Sequence, residues 1–218
     1  RNLRMRFKAA LLQIAVIALS LATSGMAKAE PLRLIGLGDS LMAGYQLPAV
    51  ESYTAQLEKA LKDKGLDIVI ENAAVSGDTT SGGLARADWS VPDGTDGVIL
   101  ELGANDALRG IAPEESEKNL DAMLSRFKER GIAVMLIGML APPNMGEDYA
   151  TRFNPVYARL AEKYEVPLYP FFLDGVVTEE RLKLSDGMHP TGEGVGVMVS
   201  RSLPTVEKFV ALISAKKK

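Results

Sequence analysis

Five short apolar runs restrict this chain to one kind of architecture. They are Leu32–Leu37, Ile68–Glu71, Gly97–Leu102, Ala133–Gly138 and Val166–Leu168. Most lack the polar–apolar alternation of a half-exposed strand. Such runs suit a parallel sheet covered on both faces. The segments between them read as helices. Tyr53 to Lys64 puts Leu57, Ala60 and Leu61 on one face, and Gly65 follows as a helix stop. Pro113 to Arg130 opens on Pro with acids in its first turn, spaces Leu120, Met123, Leu124 and Phe127 helically, and ends at Gly131. Tyr149 to Tyr164 aligns Phe153, Val156, Tyr157 and Leu160. A last helical region runs from Gly194 to Ala215, where Pro204 is expected to kink or split it. Five strands joined by helices imply a three-layer α/β/α sandwich in one domain, residues 30–218.

Functional side chains in such sheets belong at the carboxyl ends of the strands. The polar turns of this chain fall there. After the first run, Gly38 and Asp39 break the apolar stretch and Ser40 sits at the break, with Leu41-Met42-Ala43 starting a helix at once. A serine there is either the helix N-cap or a hydroxyl held where N–H groups converge and the helix dipole favours negative charge. Asn72 to Thr79 follows the second run and contains Ser76-Gly77. Gly103-Ala104-Asn105-Asp106 follows the third. Ser185 to Pro190 follows the fifth and carries Asp186 and His189.

Acyl transfer needs a nucleophile, a base, a group that orients the base, and donors for an oxyanion. Ser40 supplies the hydroxyl. His189 is the sole histidine of the chain, so any imidazole base must be this residue. Asp186, three positions earlier, can hold the other ring nitrogen. Gly77 offers an unobstructed N–H, Asn105 a side-chain amide, and Ser40 its own N–H. Taken singly, Gly77 also fits an ordinary turn, Asn105 and Asp106 also fit helix caps, and the Asp186–His189 stretch also fits a polar loop. Their joint placement on one sheet edge favours the chemical reading.

Composition narrows the alternatives. A chain of 218 residues with 47% hydrophobic and 24% charged residues can build one sizeable core. The net charge is −3, which gives no electrostatic case for nucleic acid. Cysteine is absent, which excludes disulfides, thiolate metal sites, a cysteine nucleophile and a lipidated cysteine. One histidine likewise excludes a site built on several imidazole ligands.

The N-terminus reads as an export signal over residues 1–29. Arg1, Arg4, Arg6 and Lys8 form a basic start, Ala9 to Ala22 is almost wholly apolar, and Ala27-Lys28-Ala29 fits a small-x-small cleavage site. The mature chain is expected to begin at Glu30 and to be periplasmic or secreted. The apolar run falls short of the ~20 residues of a membrane span, so no stable anchor is expected after cleavage.

Together these blocks resemble the SGNH (GDSL) hydrolase family. They are Gly38-Asp39-Ser40-Leu41, Gly77, Gly103-Ala104-Asn105-Asp106 and Asp186-Gly187-Met188-His189-Pro190, in the family's order. Ser76-Gly77-Asp78-Thr79, Gly83-Leu84-Ala85-Arg86, Leu108-Arg109-Gly110 and the Val166–Phe172 stretch are similar to its periplasmic arylesterase and thioesterase/lysophospholipase branch. The resemblance implies a flavodoxin-like sheet of order 2-1-3-4-5. It also implies Ser40 as nucleophile, His189 as base, Asp186 as its orienter, and Ser40, Gly77 and Asn105 as the oxyanion hole, with no metal or other cofactor. Ala104 stands where many relatives carry a second glycine.

Substrate contacts are expected from the loops on the same edge: Leu108 to Ile111, and Leu140 to Tyr149 with Leu140, Pro142 and Pro143. These apolar loops suit a small-molecule aryl or short-to-medium acyl ester, with thioesters and lysophospholipids also accommodated. Two other functions fit the sequence: a carbohydrate O-acetylesterase of the same family, and a non-catalytic flavodoxin-like binding protein. The default expectation for assembly is a monomer.

Overall fold

The computed structural model describes residues 30–217. Its centre is a parallel five-stranded sheet in the order β2-β1-β3-β4-β5. The strands are β1 Leu32–Leu37, β2 Ile68–Asn72, β3 Gly97–Glu101, β4 Ala133–Ile137 and β5 Leu168–Tyr169. Register is set by pairs such as Leu34 with Ile70 on one side of β1 and with Gly97 on the other. Every residue of β3 is buried, as expected for the central strand of a doubly covered sheet.

The helices are α1 Ser40–Ala43, α2 Tyr53–Asp63, α3 Thr80–Ser90, α4 Ala104–Leu108, α5 Pro113–Glu129, α6 Glu147–Phe153, α7 Val156–Tyr164 and α8 Gly192–Lys216. The expected stripes are the buried ones: Leu57 and Leu61 on α2; Leu120, Met123, Leu124 and Phe127 on α5; Val156, Tyr157 and Leu160 on α7.

Two helical expectations need correction. The segment Tyr149 to Tyr164 is two helices, because Pro155 caps the second and removes a donor from a continuous ladder. Conversely, α8 runs unbroken through Pro204. Its buried stripe of Val195, Met198, Val199, Ser202, Val206, Phe209, Val210 and Ile213 keeps helical spacing on both sides of the proline. Pro204 and Ser200 lie on the exposed side, so water can reach the Ser200 carbonyl that the proline leaves without a partner. Burial of the stripe thus outweighs the ~3 kcal/mol that an interior proline costs. Pro204→Ala restores the missing N–H donor and is expected to raise stability by about 1–2 kcal/mol, since some of that cost is returned by the greater freedom of the unfolded chain; urea titration checks it.

The α3 helix was not anticipated. Its sequence, Thr80-Ser81-Gly82-Gly83, reads as a turn, but Thr79 caps it by accepting from the Gly82 N–H. Gly83 then lets it pack closely: a Cβ there would lie 2.2 Å from Leu102 Cδ1.

Candidate active site

Of the two roles open to Ser40, the turn after β1 gives the cap to its neighbour. Asp39, not Ser40, is the N-cap of α1; its carboxylate accepts from the Leu41 N–H at 3.0 Å. Ser40 is the first helical residue, so its hydroxyl is left for another partner. That partner is His189, whose Nε2 lies 2.9 Å from Ser40 Oγ.

The histidine is delivered by a closed loop. Leu184 N–H donates to the His189 carbonyl, Thr191 N–H to the Leu182 carbonyl, and Gly187 turns the chain at φ 68°. Within this loop Asp186 accepts three hydrogen bonds. Oδ1 takes the Met188 and His189 N–H groups at 2.9 and 3.0 Å, and Oδ2 lies 2.7 Å from His189 Nδ1. These backbone donors, with the ring behind them, pull the Asp186 carboxyl down to about 2. Asp186 therefore stays charged at any pH used for assay. Tyr45 packs its ring against the imidazole, centroids 4.4 Å apart.

Ser40 and Gly77 line the same cavity, and among the described residues neither N–H donates to a backbone carbonyl. Gly77 adopts φ 85°, a left-handed conformation in which a side chain would be strained. Its carbonyl is held from outside by Arg109 Nη2 at 2.8 Å.

Asn105 follows β3, on α4. Its Nδ2 donates to Asp39 Oδ2 at 3.1 Å and to the Asp78 carbonyl at 2.9 Å. Gly103, the residue before α4, sits at φ 121° against Tyr157; a Cβ would come 2.1 Å from the Tyr157 hydroxyl. Ala104, by contrast, lines the cavity. Asp106 spends its carboxylate on the start of α3 beside the Thr79 cap, accepting from the Thr80 N–H and hydroxyl.

A cavity of about 650 Å³ opens over Ser40 and His189. Leu108, Leu140, Pro142 and Pro143, expected from sequence, all line it. So do Met139, Phe171, Leu173 and Val177, which sequence reasoning missed. Its walls are mainly apolar. A hydroxyl, an imidazole in line with a carboxylate, and unspent N–H donors at the mouth of such a cavity can carry acyl transfer.

Residues 37–197 match the model of the GDSL-like Lipase/Acylhydrolase family. The chain belongs to this family. It is 41% identical to an arylesterase of Vibrio mimicus over 180 residues, 82% of this chain and 86% of that one. It is 36% identical to the esterase TesA of Pseudomonas aeruginosa over 92% of this chain and 99% of that one. A crystal structure of TesA superposes with a TM-score of 0.77 at 36% identity, covering 81% of this chain and 99% of that one. That of AlinE4, an SGNH-hydrolase family esterase, does so at 0.71 and 44% identity, over 84% and 98%. The sheet order matches the one that family resemblance implied, and membership makes the chain a carboxylic ester hydrolase.

Beneath the GDSL turn lies a feature that no sequence block announces. Asp39 and Glu101 are both buried, and Glu101 Oε2 accepts the Asp39 N–H at 3.2 Å. Burial pushes the Asp39 carboxyl up to about 6, against the pull of the Leu41 N–H and Asn105. Burial, followed by the nearby Asp39 charge, pushes Glu101 well above the usual carboxylate range. Glu101 Oε1 is buried with no hydrogen-bond partner among the described residues. Both carboxyls thus hold their protons more tightly than a solvated carboxyl does.

Proposed function

We propose that this chain is a two-step serine esterase in which Ser40 is the nucleophile, His189 the base and Asp186 the group that orients it. The observation that carries this reading is the unbroken relay from Ser40 Oγ through both ring nitrogens of His189 to Asp186, opening onto an apolar cavity. Ser40 Oγ attacks the acyl carbonyl while Nε2 takes its proton. The oxyanion is received by the Ser40 and Gly77 N–H groups and by the Asn105 amide. His189 then gives the proton to the leaving alcohol or thiol, and the same base activates water to free Ser40. Because Asn105 rests on Asp39 and the Asp78 carbonyl, it reaches the oxyanion by sharing a hydrogen already committed to one of them. Hydrogen bonds of this sort tighten only as the reaction proceeds.

Asn105→Ala is expected to lower kcat by about 10²–10³ with KM little changed, the usual loss for one oxyanion donor. Steady-state kinetics on a p-nitrophenyl ester checks it.

The substrates proposed are aryl and short-to-medium acyl esters, with thioesters and lysophospholipids admitted by the apolar walls. The names of the relatives, arylesterase and thioesterase/lysophospholipase, support this range. A panel of p-nitrophenyl esters from acetyl to palmitoyl is expected to give an optimum below the longest chains. Acid quenching during turnover should leave the acyl group on the peptide that carries Ser40. Acyl transfer to any other residue would overturn the assignment.

Export to the periplasm or beyond is proposed on the basic–apolar–small pattern of residues 1–29, which lies outside the described residues. Among the described residues no helix is long and apolar enough to cross a membrane. Cell fractionation of the full chain is the check.

A further inference from the structure

One buried guanidinium ties together two of the three strand-end turns that carry the proposed oxyanion donors, and reaches the third through Asp78, without lining the cavity. Arg86 lies on α3 with its side chain only 8% exposed. Its Nε donates to Asp78 Oδ2 at 2.6 Å. Its Nη1 donates to the Ala73 carbonyl and to Ser90 Oγ, and its Nη2 to the Gly38 carbonyl at 3.0 Å. Gly38 stands two residues before Ser40. Ala73 and Asp78 bracket the loop that carries Gly77. The Asp78 carbonyl in turn receives Asn105.

We propose that Arg86 is a positioning residue, one that fixes the spacing of the Ser40 and Gly77 N–H groups and, through Asp78, seats Asn105. The inference rests on the oxyanion reading given above. The geometry suits an arginine and nothing else. The acceptors, two carbonyls, a carboxylate and a hydroxyl, are spread around one planar fork, and an ammonium on a flexible stem cannot span them. The backbone links the two segments by the Ala73 N–H on the Gly36 carbonyl and the Val75 N–H on the Gly38 carbonyl. These bonds stop short of Gly77, whose carbonyl is held by the exposed Arg109 side chain, so the far side of its loop, at Asp78, depends on Arg86. Donors aimed at a developing charge must keep their place to within a few tenths of an ångström, and a shift of about 1 Å costs about 10²-fold.

The test compares wild type, Arg86→Lys, Asp78→Ala and Ser40→Ala. Active sites are counted by complete reaction with a fluorescent fluorophosphonate, and kcat on p-nitrophenyl butyrate is expressed per labelled site. Arg86→Lys keeps a charge for Asp78 but gives up the span. It is expected to lose about 10–100-fold in kcat per site, with KM within about twofold and a parallel fall in the rate of labelling. Asp78→Ala, at a partly exposed position that should fold, is expected to lose about tenfold in the same pattern. A merely structural role would lower the number of labelled sites and leave the per-site rates alone. Wild-type kcat per site in both variants, or a loss confined to KM, overturns the brace. Full labelling and turnover of Ser40→Ala would instead overturn the oxyanion reading on which it rests.

Discussion

Ser40→Ala, His189→Ala and the double variant are expected to show nearly the same residual kcat, each about 10⁶-fold below wild type on a p-nitrophenyl ester. The three should coincide because the hydroxyl and the imidazole act as one unit. Once the 2.9 Å contact between Nε2 and Oγ has lost either end, nothing remains for the other end to do. Residual turnover then comes from the cavity and the N–H donors alone. If the losses multiplied, so that the double variant fell far below either single, the two residues would be acting separately and the relay would be wrong. Asp186→Asn adds a sharper version of the same test. Asp186 Oδ1 already takes two backbone N–H groups, while Oδ2 faces the ring. An asparagine would keep its oxygen on those N–H groups and turn its NH2 toward Nδ1. The ring would then carry its proton on Nε2, facing Ser40, where it cannot act as base. The expected loss in kcat is about 10⁴-fold, with the loop geometry and KM retained.

The sheet and the site edge were legible because their signals are local. Each apolar run is a strand within a residue or two of its expected bounds, and the turns bearing Ser40, Gly77 and Asn105 follow from where β1, β2 and β3 stop, whereas the Asp186–His189 loop lies well beyond the end of β5. Asp186 and His189 were legible because the chain has one histidine and the aspartate shares its loop. What stayed hidden depends on contacts between distant segments. Two adjacent glycines disguise α3, whose existence depends on the Thr79 cap and on the fit of Gly83 against Leu102. Pro204 reads as a break until its place on the exposed side of α8 is known. Phe171 and Leu173 line the cavity, yet nothing in an apolar residue past a strand distinguishes cavity wall from core. Asp39 looked like part of a motif and Glu101 like the end of a strand. Only the parallel pairing of β1 with β3 sets them side by side.

That buried pair sets up the second large effect. Asp39 has its carboxyl raised from 3.8 to about 6. The folded chain therefore binds this proton more tightly than the unfolded chain does. Below pH ~3.8 both states are protonated and the shift contributes nothing. As pH rises from there to about 6, the unfolded state ionises first and stability is lost. Above about 6 the full cost persists, on the order of 2–3 kcal/mol at 1.36 kcal/mol per pH unit. Asp186 has the opposite sign, its stabilisation being lost only as pH falls below ~3.8 toward about 2, so the two windows do not overlap. Asp39→Asn removes the buried ionisation and keeps the cap, since asparagine accepts the Leu41 N–H equally well. Its stability relative to wild type, from urea titrations, should be near zero or slightly negative at pH ~3.5 and should climb by about 2–3 kcal/mol to a plateau above pH ~6.5. A difference that stays flat across this range would sink the assignment. Activity should move the other way. Asn105 Nδ2 now rests on the Asp39 carboxylate, and an amide there offers it a donor where it needs an acceptor. A more stable and slower enzyme would mean that the charge buried under Ser40 is kept for the donor it seats, at the expense of the fold.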